Sequence, residues 1–336
     1  MQELIAALRS SPRLAQKSEL EVLWQFFPRV CRIGDEQVLL GDDAAAVNSA
    51  DGFLLFAAEG VYPPLLEADP YLAGRASVLA NVNDIYAMGG RPLAILDVML
   101  AQGMREATEM LRGVNDNALR YNVPVIGGHF GVGTQADSLA VFIIGRARRL
   151  LSSFNAAPGD DLVVVWNPRG TFHAQFGFWD SSSTLTGPQA ITQLELLPRL
   201  AEEGLADSAK DVSMAGIIGT VLMLLEASAR GARISPENIS TPPGVQLADW
   251  LLSFLSYGFV LSLRPNLTTA AHGRFRDMGI LCERIGNVTA DHQVIFIDSA
   301  GNKHLFWDLN ARPFSGLARE RIAGSVASGR GGAEIG

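Results

Sequence analysis

The residues of this chain best suited to chemistry are acids set among small apolar neighbours. Asp42 and Asp43 follow Gly41 and precede Ala44-Ala45-Ala46, and Glu59 closes an apolar run before Gly60. Asp84 lies in Asn81-Val82-Asn83-Asp84-Ile85-Tyr86-Ala87-Met88-Gly89-Gly90. A carboxylate among Ala, Val and Leu is costly unless it is paired or coordinates a cation. Three such stations between Gly41 and Gly90 therefore point to a shared metal, and oxygen donors of this kind suit magnesium held together with the phosphates of a nucleotide. A further acid and hydroxyl meet a helix start in Lys210-Asp211-Val212-Ser213-Met214-Ala215-Gly216. Gly-Asp-Asp alone is commonly a turn between strands; the neighbouring Asn81–Gly90 run is what favours a chemical role.

Gly127-Gly128-His129-Phe130-Gly131 is a second glycine-rich stretch, readable as a phosphate-contacting loop or as a hairpin. It lacks the Gly-x-x-x-x-Gly-Lys-Ser/Thr pattern of a Walker loop. His129 is either a hydrogen-bonded structural residue or a phosphate contact, the latter favoured over proton abstraction. The other histidines, His173, His272, His292 and His304, show no metal-ligand spacing, so zinc is not supported. Phe172, Phe176, Phe178 and Trp179 fall in a loop expected over 171–187, where they either stack on a substrate ring or pack.

These groups need elements to hold them. Ser18-Glu19-Leu20-Glu21 has capping-box form before Val22, Leu23, Phe26 and Phe27, which predicts a first helix from Ser18. Strands are expected at 38–40 and 53–58, divided by the Gly41-Asp42-Asp43 turn. A helix from about Tyr71 places Val78, Val82 and Ile85 on a core face and Asn81, Asp84 and Met88 on an adjacent one, so that Asn81 and Asp84 reach one ligand. Pro92 to Leu100 reads as a buried strand, Arg105 to Tyr121 as a helix, and Val123 to Ile126 as a strand ending at Gly127. Small and turn-forming residues at 150–160 mark a boundary. Beyond it come a strand at Asp161 to Trp166, the apolar helix after Ser213, a last helix at about Val245 to Ser256, and strands at Gly258 to Leu263, Leu281 to Val288 and Val294 to Ile297.

Composition narrows the function classes. The 336 residues are 48% hydrophobic, enough for two domains with sizeable cores. With 27 basic against 35 acidic residues the net charge is -8, and no basic run is present that would track a nucleic-acid backbone. The best apolar run, Ile217 to Leu225, is too short to span a bilayer. Two distant cysteines, Cys31 and Cys282, give neither a disulfide framework nor a zinc knuckle. A soluble cytoplasmic protein with no nucleic-acid or membrane partner is the expectation.

The order Gly-Asp-Asp-Ala-Ala, Asn-x-x-Asp-x-x-Ala-Met-Gly-Gly, Gly-Gly-His, Pro-Gly-Asp and Asp-Val-Ser resembles the AIR synthetase (PurM-like) superfamily, across about residues 38 to 298. The chain looks most like its AIR synthase-related proteins and is similar to selenophosphate synthetase and thiamine-monophosphate kinase. The resemblance implies a two-domain α+β / α/β PurM-like fold, with an N-terminal mixed sheet and helices and a C-terminal α/β domain. Its divisions would be a helical extension over 1–34, an ATP- and metal-binding domain over 35–150, a second domain over 155–300, and an extension over 301–336 whose last ten or so residues are disordered.

Carried over residue by residue, it implies Asp42, Asp43, Glu59, Asp84 and Asp211 around Mg2+. It also implies Asn81, Asn83, Gly127, Gly128, His129, Asp211 and Ser213 around ATP, with Asp42, Asp84 and His129 catalytic. The implied activity is ATP-dependent phosphoryl transfer to, or activation of, an unidentified small acceptor by a homodimer; selenophosphate synthesis and non-catalytic nucleotide binding are the alternatives. Glu59 stands where the family has Asp, and Met214-Ala215 replaces the usual residues after the second-domain motif. The region at Cys31 lacks the lysine that selenide-handling relatives carry beside their nucleophile, so Cys31 is expected to be structural.

Overall fold

The computed structural model of the chain describes residues 1–316; the expected disorder of the last residues falls outside them. Helices α1 (Gln2–Arg9) and α2 (Pro12–Ala15) lead through a 3-10 run, Gln16–Gln25, into an antiparallel ribbon of β1 (Val30–Ile33) and β2 (Glu36–Leu39). Then follow β3 (Ala45–Ser49), β4 (Gly52–Gly60), α3 (Pro63–Ala68), α4 (Pro70–Ala87), β5 (Arg91–Ala101), α5 (Met104–Arg120), β6 (Val125–Val132) and β7 (Ser138–Ala147). Their sheet runs β3-β4-β7-β5-β6, with β5 and β6 parallel and the other neighbours antiparallel.

The second domain begins with β8 (Asp161–Trp166), β9 (Thr171–His173), β10 (Phe178–Asp180), α6 (Gly187–Leu194), α7 (Leu196–Glu202), β11 (Ser208–Asp211) and α8 (Gly216–Ala227). It continues with β12 (Gly231–Ile234), α9 (Leu247–Leu251), β13 (Phe254–Leu255), β14 (Gly258–Leu263), α10 (Pro265–Arg276), β15 (Leu281–Thr289), β16 (Gln293–Ile297) and β17 (Lys303–Asp308). The large sheet is ordered β11-β14-β8-β15-β12-β16-β17, and β13-β10-β9 form a small separate sheet. The result is the expected two-domain α+β architecture with mixed sheets.

Helix α4 is the axis of the molecule. Asp69 caps it by accepting from Leu72 N at 2.9 Å, and Pro70 occupies its first turn, where no amide partner is lost. It ends at Gly89, whose φ of +74° closes the C-terminus through Gly89 N to Tyr86 O and Gly90 N to Ile85 O, both 2.9 Å. A Cβ on Gly90 would lie 2.4 Å from Leu55, and one on Gly145 2.5 Å from Ile85, so these glycines let helix and sheet meet backbone to side chain. Val78, Val82 and Ile85 are fully buried, each contributing about 1.5–3 kcal/mol of transfer free energy. Their cluster continues into Val163, Val165, Phe259 and Leu261 of the second domain, so both domains share one core around α4.

Four local expectations are corrected. No helix starts at Ser18: its hydroxyl bonds back to the Ala15 carbonyl at 2.7 Å, and the 3-10 run buries none of its residues, leaving nothing to stabilise a regular helix. Val22, Leu23, Phe26 and Phe27 remain exposed, and the docked apolar helix is α1, through Ile5 and Leu8. Gly127-Gly128-His129 lie inside β6 rather than after it. The stretch 171–187 carries β9 and β10, and Trp179 is buried against Trp166 and Trp250. The helix expected at 245–256 is reduced to α9 followed by β13, and α10, with poor helix formers at Thr268, Thr269 and Gly273, is held by buried Ala271 and Phe275.

Candidate active site

Three carboxylates from three elements converge beneath the cleft between the domains. Asp43 sits in the turn before β3, Asp84 on α4, and Asp211 at the end of β11; one oxygen from each lies within 4.8 Å of the others. Asp84 and Asp211 are each 5% exposed. Asp84 Oδ2 is buried and has no hydrogen-bond partner among the described residues, as is true of Ser213 Oγ nearby in sequence to Asp211. An orphaned buried carboxylate oxygen beside two further acids is costly unless a cation completes it, and an all-oxygen donor set of this kind fits a hard divalent ion.

The surrounding charges are arranged with equal economy. Asp43 pairs with Lys210, both nearly buried, and its second oxygen accepts the Asp211 amide at 3.0 Å, which ties the first-domain turn to β11. Burial raises the carboxyls of Asp84 and Asp211 well above the usual range, and the neighbouring acids raise them further. Burial works against the charge of Lys210, but Asp43, Asp42 and Asp211 hold its ammonium above the ordinary lysine value. Lys17, from the 3-10 run, faces the same acids; burial and then Lys210 lower it, against the pull of Glu59, Asp211 and Asp43.

A cavity of about 960 Å³ opens from this cluster. Lys17, Leu20, Leu23 and Trp24 of the N-terminal segment line one side, so residues remote in sequence from the acids close over them. Trp24 donates its indole N–H to Ser315 O at 3.3 Å, and Ser315 is clamped by Glu226 of α8 through its amide at 2.7 Å and its hydroxyl at 2.6 Å.

The remaining candidates have different fates. Glu59 lines the cavity, because alternation along β4 places it on the face of Leu55, toward α4, but it stands outside the three-carboxylate group. Loss of solvent raises its carboxyl, while Lys17 opposes. Asp42 lines the cavity but stands outside the three-carboxylate group: its oxygens accept from Ser152 Oγ at 2.5 Å, Ser153 Oγ at 2.8 Å and the Ser153 amide, which fastens the turn at the domain boundary. Asn81 and Asn83 are buried behind the cavity wall. Asn81 donates to Ser77 O at 2.8 Å, and Asn83 crosses to the second domain at Ser256 O, 3.2 Å; each leaves its Oδ1 without a bond.

Gly127, Gly128 and His129 are not brought to this cavity. They lie on the sheet edge opposite β3, with His129 in register with Val98, and a Cβ on Gly128 would stand 2.1 Å from Asp97 Oδ1. The glycine there serves close strand packing. Ser213 lines the cavity, its amide donating to Thr220 Oγ1 at 3.2 Å. Cys31 is absent from the lining, and burial pushes the Cys282 thiol, in the second-domain sheet, up to about 12.

Two residues that sequence reasoning passed over are Lys17 and Lys210. A signal existed: the chain carries 24 Arg but only three Lys, at 17, 210 and 303, and two of those three face the cavity. A lysine kept where arginine is the default marks a place for a compact point charge.

Residues 41–147 match the family model described as AIR synthase related protein, N-terminal domain, and residues 158–299 match the corresponding C-terminal domain. The chain belongs to the AIR synthase related family. An uncharacterized protein of Synechocystis sp. is 43% identical over 287 residues, 85% of this chain and 89% of its own length. A selenide, water dikinase of Myxococcus xanthus is 27% identical over 218 residues, 60% of this chain and 61% of that protein. T. maritima PurL complexed with ADP aligns with a TM-score of 0.73 at 18% identity, over 92% of this chain and 52% of that one; the likeness is one of fold, and this chain spans about half its length. Among the described residues no helix is long and apolar enough to cross a membrane.

Proposed function

We propose that this AIR synthase related protein transfers a phosphoryl group from ATP to a small-molecule acceptor, using divalent cations, with magnesium as the ion its donors suit. The observation that carries the reading is the convergence of Asp43, Asp84 and Asp211 within 4.8 Å, with Asp84 Oδ2 buried and unbonded, at the base of a large interdomain cavity. The ADP bound by a protein of the same fold and the dikinase name of a relative support nucleotide use.

Asp43, Asp84 and Asp211 would hold the cations, which would supply positive charge to offset that of the phosphates. Lys210, oriented by Asp43, presents a fixed positive charge beside them. Lys17 adds a second ammonium from the segment that covers the cavity, where exclusion of water strengthens its attraction for a transferring phosphoryl group. Burial of Asp84 under apolar α4 neighbours keeps these charges in place without solvent reorganisation. None of the cavity-lining residues offers a thiol, which favours an oxygen or nitrogen acceptor over selenide.

The protein is proposed to act as a homodimer. On the first-domain sheet, Leu55, Val141 and Ile143 face α4, so alternation turns Phe56, Phe142 and Ile144 to the other face, where Phe56 is 42% and Phe142 41% exposed. A second copy covering this apolar face would remove it from water.

Calorimetric titration with a non-hydrolysable ATP analogue tests the nucleotide reading. Binding is expected only with magnesium or manganese present, and equal affinity in excess chelator would overturn it.

A further inference from the structure

We infer that the end of the cavity remote from the three carboxylates is the acceptor subsite, and that it selects a planar ring bearing an anionic group, carboxylate or phosphate, held by Arg75. This inference rests on the phosphoryl-transfer reading above. Arg75 lies on α4 nine residues before Asp84, about 13 Å along the helix axis, and both line the cavity.

Its position is built from the sequence upward. A Cβ on Gly74 would fall 2.3 Å from Met110 O, and one on Gly113 2.1 Å from Tyr71 O, so α4 and α5 touch through their backbones. That approach brings Asn117, one turn past Gly113, against Arg75. Arg75 Nε donates to Asn117 Oδ1 at 3.2 Å, and Asn117 Nδ2 donates to the Arg75 carbonyl at 2.7 Å. With Nε fixed, the guanidinium plane is fixed, while neither terminal nitrogen has a hydrogen bond to another group among the described residues. A planar fork held by one corner and free at two is suited to a carboxylate or phosphate.

The neighbouring acid feels the Arg75 charge, which with the Ser182 and Ser183 hydrogen bonds helps to lower its carboxyl, but it does not occupy the fork. Asp180 makes no ion pair with Arg75, and its Oδ1 accepts from Ser182 N, Ser182 Oγ and Ser183 N, each at 2.9 Å. Phe178 lies two residues before Asp180 on β10 and shares its face, whereas Trp179 between them points into the core. Phe178 pairs in register with Phe254 of β13, their ring centroids 6.4 Å apart, and both line the cavity beside Arg75 and Asp180. His173 stacks behind Phe178 at 4.4 Å and 4°, which stiffens that wall. An aromatic floor ending in a preset cationic fork defines a ring with an anionic substituent.

The test is calorimetric titration of the full-length protein with phenyl phosphate and, separately, phenylacetate, alone and with magnesium and a saturating non-hydrolysable ATP analogue. One of the two binds alongside the nucleotide, and which one it is distinguishes a phosphate from a carboxylate acceptor. Arg75→Met weakens that binding by at least about tenfold and Arg75→Lys by less, as loss of a charge-assisted fork requires. Phe254→Ala weakens phenyl phosphate more than inorganic phosphate, and in all three variants the nucleotide analogue binds as in wild type. If Arg75→Met does not fold, Arg75→Lys and Phe254→Ala carry the same comparison. Equal binding of the ring anion by wild type and Arg75 variants overturns the subsite. So does its competition with the nucleotide, or its failure to bind a protein that binds the magnesium nucleotide. Ring anions held through Arg75 by a protein that binds no nucleotide would overturn the phosphoryl-transfer reading alone.

Discussion

Replacing Asp84 by Asn should move the metal-free and the magnesium-nucleotide forms in opposite directions. In the metal-free protein Asp84 and Asp211 present oxygens within 4.8 Å of each other, both nearly buried. Two full charges at that separation repel by about 3 kcal/mol at an effective dielectric of about 20. Proton uptake and the attraction of Lys210 relieve part of this, so the amide should gain about 1–2 kcal/mol, a few degrees in Tm for a protein of this size. The new Nδ2 can also donate to a neighbouring carboxylate where Oδ2 now bonds to nothing. With nucleotide the sign reverses. At a ligand concentration about 100 times Kd, binding stabilises the wild type by about 2.7 kcal/mol; a ligating carboxylate lost at a cost of about 100-fold in affinity leaves about 0.4 kcal/mol. Differential scanning calorimetry of both proteins, with chelator and with magnesium plus a non-hydrolysable ATP analogue, measures all four states. A variant no more stable than wild type in chelator, or one that keeps the full nucleotide increment, would refute the argument.

Other consequences are open to measurement. Because Asp84 and Asp211 bind a proton more tightly folded than unfolded, metal-free stability should fall as pH rises from the ordinary carboxylate range through their raised values. Magnesium needs both ionised, so its stabilising increment should grow over the same rise; thermal melts at pH 5.5 and 8 with and without the ion show whether the two trends diverge. Phe142→Glu, on the open sheet face, should convert a dimer into a folded monomer by light scattering; a wild-type monomer at micromolar concentration would remove the dimer proposal. Gly113→Ala sets a Cβ 2.1 Å from Tyr71 O and must push α4 from α5, costing about 1–3 kcal/mol or more by denaturant unfolding, whereas no loss would show that the helices part freely.

Much of the frame was legible because α4 obeys simple rules. The helix expected from about Tyr71 begins at Pro70, and its apolar spacing at Val78, Val82 and Ile85 is realised. The acids of the cluster were legible for a related reason: a carboxylate in an apolar run advertises its cost wherever it occurs. What failed was the step from residue type to partner. Asp42 and Asp43 are indistinguishable in the sequence, yet one fastens Ser152 and Ser153 while the other meets Lys210 and Asp211. That division is decided by which way each side chain leaves a turn and by residues more than a hundred positions away. Gly127-Gly128 misled in the opposite sense, since a glycine required by a side chain on the next strand looks the same as one required by a phosphate.

The N-terminal segment shows why local pattern was least informative where it bears most directly on the site. Ser18-Glu19-Leu20-Glu21 satisfies the rule for a helix start, but a helix needs an apolar face to bury, and here the apolar residues are divided between the cavity and solvent. Leu20 and Trp24 turn inward with Lys17, Leu23 reaches the cavity while still exposed, and Val22, Phe26 and Phe27 turn out, so neither face is continuous enough to support regular turns. The 3-10 run is the backbone's compromise with that division. Its inward residues have no core of their own to join, and among their holds are the distant Trp24–Ser315–Glu226 contact, the Arg29 guanidinium over the Trp24 ring and the charge of Lys17 facing three acids. A segment that places an ammonium over a cavity responds to the charge that the cavity contains. An anion entering beside Lys17 would strengthen the hold of the segment on the acids' side of the cleft through a charge already in place.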